Sequence, residues 1–264
     1  MNQSVTAWSA IVIDDQDEDN DFCETLVGKL GDKRIGVVRK KERGMIWDSW
    51  NFALDHAEPG LVTLFHSDDV LDPHYVESML EHATRYPEAT AFFTQAMTIN
   101  GQGRRQFSVI DTAKKLVDLS YSFGNTAILK GESGLVKILR GNFVFCPSLC
   151  YVIGEEDQLR FSPYHQVLDF DMLASIILSG KTIVGIPRKL LHYRRHGDNA
   201  SLKNNHKNIR FKEESKLYDN LSDRAEALGW KRASQVARRK FIVYAHRFFT
   251  NYWFLFRRST PSES

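Results

Sequence analysis

The chain has 264 residues, of which 42% are hydrophobic and 26% charged, a composition typical of a folded globular protein. This composition excludes a disordered or collagen-like chain. The three cysteines are too few for a disulfide framework, and an odd number fits a reducing compartment, so we expect a cytoplasmic protein. The sequence shows neither a secretory signal pattern nor an apolar run of 18 residues, which indicates a soluble or surface-bound protein.

The net charge of +2 conceals an asymmetry along the chain. Residues 205–264 carry a net +7, and residues 1–204 carry a net −5. An acidic body with a basic tail argues against a nucleic-acid-binding protein, whose basic face is its working face. We therefore expect a boundary near residue 204 and different partners for the two parts.

Strand-like and helix-like segments alternate through the first two thirds of the chain. The strand-like segments are short, apolar and rich in β-branched residues: 10–13, 35–38, 61–65, 91–94 and, later, 182–186. The helix-like segments are 20–30, 45–57, 73–86 and 169–179, followed by a basic helical region from 205. This alternation predicts an α/β fold of Rossmann type, with a mostly parallel sheet, helices on both faces and a C-terminal helical extension.

Two acidic clusters follow predicted strands. Asp14 and Asp15 end the first strand, and Asp68 and Asp69 follow the third. Ligands of open parallel sheets lie beyond the carboxyl ends of the strands, where adjacent carboxylates need a divalent cation or ribose hydroxyls to compensate their repulsion. The alternative is that each aspartate initiates a turn or caps a helix. Two clusters at one edge of a sheet favour a site.

The sequence resembles family 2 glycosyltransferases over about residues 3–201. The resemblance consists of five weak motifs in the family's order: 11–15, the segment 43–54 with Gly44 and Asn51, 64–75, 168–173 and 193–201. It implies a GT-A fold for residues 1–204 and transfer of a sugar, with inversion, from a nucleoside-diphosphate sugar, UDP-linked in our expectation. The acceptor would be a glycan or a lipid-linked saccharide of surface polysaccharide synthesis.

The resemblance also implies roles for individual residues. Asp69 would bind Mg²⁺ or Mn²⁺, and Asp68 would contact the ribose or the metal. Asp169 would be the base that takes the proton of the acceptor hydroxyl, with Asp171 in reserve. Further implied contacts are those of Asp14 or Asp15 with the nucleobase, of Asn51 with the nucleotide, of Arg194 with the diphosphate, and of His196 with the diphosphate or the metal.

The chain departs from the family pattern at two places. The family begins with a strand ending in Pro-x-Tyr-Asn, followed by a helix, and this sequence contains neither, so we expect an N-terminally truncated domain. His66 stands where the family has the first aspartate of its metal-binding segment. These departures motivate an alternative function, a catalytically inactive protein that binds sugar nucleotides or serves as a scaffold.

The basic tail contains an aromatic segment. Eight of the sixteen residues 241–256 are aromatic, and basic pairs or triplets flank the segment. Aromatic faces next to basic clusters suit the headgroup region of an anionic membrane, so residues 241–258 are a candidate contact with the inner face of the plasma membrane. A helix packed on the domain with its aromatic residues in the core explains the same pattern.

Overall fold

The structure is a computed structural model that describes residues 2–15, 21–107, 121, 123–155, 159–195, 209–245 and 247. The strands are β1 (Ala10–Asp14), β2 (Ile35–Arg39), β3 (Gly60–Thr63), β4 (Val70–Leu71), β5 (Ala89–Ile99), β6 (Ala127–Leu129), β7 (Cys150–Ile153) and β8 (Thr182–Arg194). The helices are α1 (Phe22–Leu30), α2 (Ile46–Asp55), α3 (Tyr75–Arg85), α4 (Gly131–Leu139), α5 (Leu168–Leu178), α6 (Ile209–Ala227) and α7 (Lys231–Arg239).

The described strands form two sheets. Strands β1 and β2 pair in parallel and make a two-stranded sheet. The larger sheet has the order β3-β7-β5-β8-β4, and β6 pairs with the first part of β8. Within the described residues no ladder of hydrogen bonds joins β1 or β2 to the larger sheet. Asp14 and the aspartates that follow β3 therefore belong to different sheets.

The predicted α/β architecture with a helix-flanked sheet is confirmed, and the strand directions refine it. Among the described strands, β1–β2 and β5–β8 are parallel pairs, whereas the other four pairings are antiparallel, so the sheet is mixed rather than mostly parallel. The antiparallel partners include β6 and β7, which lie in the irregular region 120–165. The sequence pattern gives no direction for strands so short.

Side chains alternate between two apolar cores on the two faces of the larger sheet, as the two-residue period of a strand requires. On β5, Phe93 belongs to one core and Phe92 to the other. Helices α4, α5, α6 and α7 pack on the first face, and Tyr75 and Met79 of α3 on the second. Helices therefore cover both faces, as predicted.

The C-terminal helices contribute to the main core. Leu217, Tyr218 and Leu221 of α6 are buried against α4 and α5, and Val243 is buried beyond α7. Residues 248–264 lie outside the described part of the chain, so both interpretations of the aromatic segment stay open, as does the division at residue 204. Among the described helices, none is long and apolar enough to cross a bilayer.

Candidate functional site

Three side chains that follow β3 lie together. One ligand atom from each of His66, Asp68 and Asp69 lies within 4.8 Å of the other two. Asp69 is buried, and His66 and Asp68 are half-buried. One imidazole nitrogen and two carboxylates offer the donor atoms that Mn²⁺ accepts, and the carboxylates also suit Mg²⁺. The predicted pair Asp68 and Asp69 is therefore brought together with a third group.

The third group, His66, was not among the metal ligands predicted from the sequence, where it counted as a departure from the family pattern. Its Nε2 atom is buried and has no hydrogen-bond partner among the described residues. Burial lowers the pKa of His66, although the charge of Asp68 opposes this effect. The ring is therefore neutral near pH 7, and one ring nitrogen keeps a lone pair for a ligand. The sequence signal that could have identified His66 as a metal ligand is its position two residues before Asp68.

Arg194, at the end of β8, holds the loop that carries these side chains. Its backbone N–H donates to Asp69 Oδ1 at 2.7 Å, and its Nε donates to the carbonyl of Asp68 at 2.7 Å. Its Nη1 donates to the carbonyls of Asn100 and Gly101. These contacts fix the orientation of Asp69, whereas a contact of Arg194 with a diphosphate stays a prediction. His196 lies outside the described residues.

The second acidic cluster lies at the end of β1. Asp14 is buried, and its Oδ2 lies 3.6 Å from Nε of Arg39 on β2. Asp15 is half-buried and accepts a hydrogen bond of 2.7 Å from Ser49 Oγ of α2. Both carboxylates are therefore oriented by neighbouring elements. Their contact with a nucleobase stays a prediction.

Helix α2 contacts the two acidic clusters through Ser49 and Trp50, and the next residue, Asn51, contacts a third segment. Ser49 binds Asp15, and the ring of Trp50 lies 5.4 Å from that of His66. The Asn51 side chain binds the backbone of Phe161 twice, donating to its carbonyl at 3.0 Å and accepting from its N–H at 2.8 Å. Successive residues of a helix point about 100° apart, so three neighbours reach three different loops. The amide of Asn51, predicted to contact the nucleotide, holds the loop around Phe161.

Gly44 precedes α2 where space is restricted. A Cβ atom there would lie 1.9 Å from Oδ2 of Asp48. That oxygen forms a 2.6 Å ion pair with Lys40 Nζ. A larger residue would displace this ion pair, whose two charged groups are the ends of flexible side chains and can move aside.

Asp169 and Asp171 lie in the first turn of α5. Asp169 is half-buried, and its charge adds to the rise in the pKa of Tyr151 that burial chiefly causes. Tyr151 contacts Phe161 with ring centroids 6.1 Å apart, and Phe161 contacts Trp50 at 5.0 Å. Since Trp50 also contacts His66, a chain of three rings links the His66 cluster to the neighbourhood of Asp169.

Asp171, the reserve candidate for the base, has a different environment. Its carboxylate is buried and accepts a hydrogen bond of 2.5 Å from Ser162 Oγ. Arg224 of α6 approaches to 4.0 Å. These contacts direct Asp171 toward α6, and we retain Asp169 as the candidate base.

Comparison with known proteins defines the class to which this fold and site belong. The sequence profile of glycosyl transferase family 2 matches residues 1–132, half of the chain. The chain therefore belongs to glycosyl transferase family 2. The matched part includes Asp14, Asp15, Asn51, and the cluster of His66, Asp68 and Asp69.

Among solved structures, the chain is similar to Staphylococcus aureus TarS, residues 1–349. The complex with UDP aligns with a TM-score of 0.57 and 13% identity over 82% of this chain and 57% of TarS. The complex with UDP-GlcNAc aligns with a TM-score of 0.60 and 14% identity over 84% of this chain and 59% of TarS. This chain thus spans less than two thirds of either TarS chain, and the likeness establishes the fold. No match was found among curated proteins.

Proposed function

We propose that the chain is an inverting glycosyltransferase that uses a nucleoside-diphosphate sugar. The observation that carries this proposal is the cluster of His66, Asp68 and Asp69 after β3, in a chain that belongs to glycosyl transferase family 2. The UDP and UDP-GlcNAc complexes of TarS support a UDP-linked donor. The acceptor would be a saccharide or a lipid-linked saccharide used in surface polysaccharide synthesis.

The residues present fit a divalent metal ion. The buried ring nitrogen of His66 and the carboxylates of Asp68 and Asp69 lie close together. Mg²⁺ or Mn²⁺ bound there would offset the negative charge that grows on the departing diphosphate. Arg194 would keep Asp69 aimed at the ion, and His196 is a further predicted ligand. Asp68 would also contact the ribose of the donor.

The remaining residues would bind the nucleotide and move the proton. Asp14 or Asp15 would accept hydrogen bonds from the nucleobase, and Asn51, which also holds the Phe161 loop, would contact the nucleotide. The acceptor oxygen forms its bond to the anomeric carbon as the bond to the diphosphate breaks, and Asp169 takes the hydroxyl proton. Attack from the face opposite the leaving group inverts the anomeric centre.

The test compares isosteric variants in donor hydrolysis and sugar transfer with UDP-GlcNAc and Mn²⁺. Asp69→Asn should lose turnover and metal dependence, and Asp169→Asn should lose transfer while still binding UDP. Glu81→Gln on the exposed side of α3 is the matched control and should behave as the wild type. Unchanged turnover in both aspartate variants would contradict the mechanism.

The alternative is a protein that binds sugar nucleotides without turning them over, or a scaffold. Among the described strands no ladder joins β1 or β2 to the larger sheet, and this favours the alternative, because Asp15 and Asp68 then follow strands of different sheets. Calorimetry with UDP and Mn²⁺ separates the two proposals: UDP binding with no hydrolysis and no transfer supports the alternative.

We also propose that residues 205–264 form an extension that brings the domain to the inner face of the plasma membrane through residues 241–258. The high exposure of Phe241 (78%) and Tyr244 (61%) supports this location. Sedimentation with anionic and neutral vesicles tests it. Equal binding of a Phe241→Ser, Tyr244→Ser variant and the wild type would contradict it.

A further inference from the structure

The segment 160–167, called the entry loop below, leads into α5, whose first turn carries the candidate base. Helix α2 holds the beginning of this loop at two positions one helical turn apart. Asn51 binds the backbone of Phe161, and Asp55 forms an ion pair with Arg160. The start of the entry loop is therefore fixed to the helix that also contacts both acidic clusters.

Glu213 of α6 holds the end of the entry loop. Its carboxylate accepts hydrogen bonds from the N–H of Gln166 at 2.8 Å and from the N–H of His165 at 2.9 and 3.0 Å. It also accepts one from Nδ1 of the His165 ring at 2.9 Å, since an ionised carboxylate can only accept. The Glu213 side chain is 14% exposed, and hydrogen bonds to a charged group are stronger than neutral ones, so they orient the loop end firmly.

The residues that Glu213 holds come directly before the candidate base. Gln166 precedes Asp169 by three residues, and Asp169 is the second residue of α5. Core packing fixes the axis of α5, but the N–H groups of a first turn lack intrahelical acceptors, so this turn depends on the backbone that enters it. A base takes a proton only within hydrogen-bond reach, so a small displacement of Asp169 would slow the reaction in a chain that stays folded.

We propose that Glu213 is a positioning residue: by holding the end of the entry loop, it keeps the Asp169 carboxylate within reach of the acceptor hydroxyl. This inference rests on the proposed function, in which Asp169 takes the proton. Glu213 belongs to α6, so residues 205–264 would serve the reaction as well as the proposed membrane contact. A merely structural role of Glu213 would change stability and leave the chemical step as it is.

Glu132 of α4 offers a matched control for the loss of a carboxylate at a helix start. Its Oε1 accepts hydrogen bonds from the N–H groups of Arg232 at 2.7 Å and Ala233 at 3.1 Å, where α7 begins. Like Glu213, Glu132 is half-buried and binds backbone N–H groups. Neither Glu132 nor the residues it binds have a role in the proposed reaction. Glu132→Ala therefore measures what the loss of such a contact does to the fold alone.

The experiment is steady-state hydrolysis of UDP-GlcNAc with Mn²⁺ by the whole chain, where water replaces the acceptor hydroxyl. Glu213→Ala should lower kcat about tenfold, because a displaced base takes the proton less readily, and should leave KM within about twofold. Glu213→Gln keeps one acceptor oxygen and should lose less. Glu132→Ala should keep the wild-type kcat, although urea unfolding should show a less stable chain. Wild-type kcat in Glu213→Ala, or equal losses of kcat in Glu213→Ala and Glu132→Ala, would overturn the proposal.

A double-mutant cycle tests whether Glu213 acts through Asp169. In the Asp169→Asn background the base is absent, so adding Glu213→Ala should leave the residual hydrolysis unchanged, as expected of two residues that act as one unit. A further loss in this background as large as that in the wild-type background would show that Glu213 acts through another group and would refute the assignment.

Failure of the proposed function differs from failure of this inference. A wild type that binds UDP without hydrolysing UDP-GlcNAc removes the transfer mechanism and the positioning role together. A wild type that hydrolyses UDP-GlcNAc with a kcat that Glu213→Ala does not lower removes the positioning role alone.

Discussion

Helices α1 and α5 have similar lengths and opposite environments. Nine of the eleven residues of α5 are buried, and none of the nine residues of α1 is. Phe22, Leu26 and Leu30 form an apolar stripe on α1 that remains between 44% and 62% exposed. The layer of β1, α1 and β2 is thus held by few apolar contacts, whereas the larger sheet has a core on each face. Asp14 and Asp15 lie in the weakly held region, and Asp169 lies in the strongly held one.

The largest expected effect concerns stability. Leu173 of α5 is fully buried, and Leu173→Ala should lower the free energy of unfolding by about 3 kcal/mol, since it leaves a cavity in the core. Leu26→Ala on α1 makes the same chemical change at a position 49% exposed and should cost less than about 0.5 kcal/mol. Urea unfolding measures both. Similar losses would show that α1 is covered in solution.

A second prediction concerns the double hydrogen bond between α2 and the Phe161 loop. Asn51→Ala leaves the N–H and the carbonyl of Phe161 without their partner and should cost about 2 kcal/mol. Asn51→Asp can still accept from the N–H, so it should cost less near pH 7. Wild-type stability of Asn51→Ala in urea unfolding would show that water replaces the amide.

The sequence predicted most elements of both regions, because short β-branched runs between helix-like segments are local signals. The five predicted strands and the four predicted helices are present, but β5 and β8 run five and eight residues past their predicted ends, and β4, β6, β7 and α4 were not predicted. The sequence could not predict that Arg194 donates to the backbone carbonyls of Asp68, Asn100 and Gly101. Every residue has a backbone carbonyl, so only the fold determines which carbonyls lie close to Arg194.

A smaller effect is expected where the weakly held layer meets α2. Ser49→Ala removes the hydrogen bond to Asp15 and should cost about 1 kcal/mol or less. The loss should appear as faster hydrogen exchange of the β1 and β2 amides, with the β5 and β8 amides unchanged. Equal acceleration in both sheets would mean that they open as one unit.

The smallest effect concerns pH. Two hydrogen bonds from the side chain and one from the backbone of Arg34 lower the pKa of Asp32 from 3.8 to about 2. A carboxyl whose pKa is lowered by folding stabilises the native state above its unfolded pKa and loses this effect as pH falls. The protection of the β2 amides, measured relative to their intrinsic exchange rates at each pH, should therefore fall between pH 4 and pH 2 in the wild type. Asp32→Asn should remove that part of the pH dependence.

The contacts of Ser49 and Trp50 with the two acidic clusters have a consequence for nucleotide binding. The Ser49 side chain donates to Asp15 at the end of β1 in the small sheet, and the Trp50 ring contacts His66 in the loop that follows β3 of the large sheet. A nucleotide in contact with both Asp15 and Asp68 would cross-link the two sheets, adding stability that grows with the logarithm of its concentration above the dissociation constant. Thermal melts with increasing UDP would then report site occupancy without any turnover, and UDP would slow exchange in β1 and β2 most.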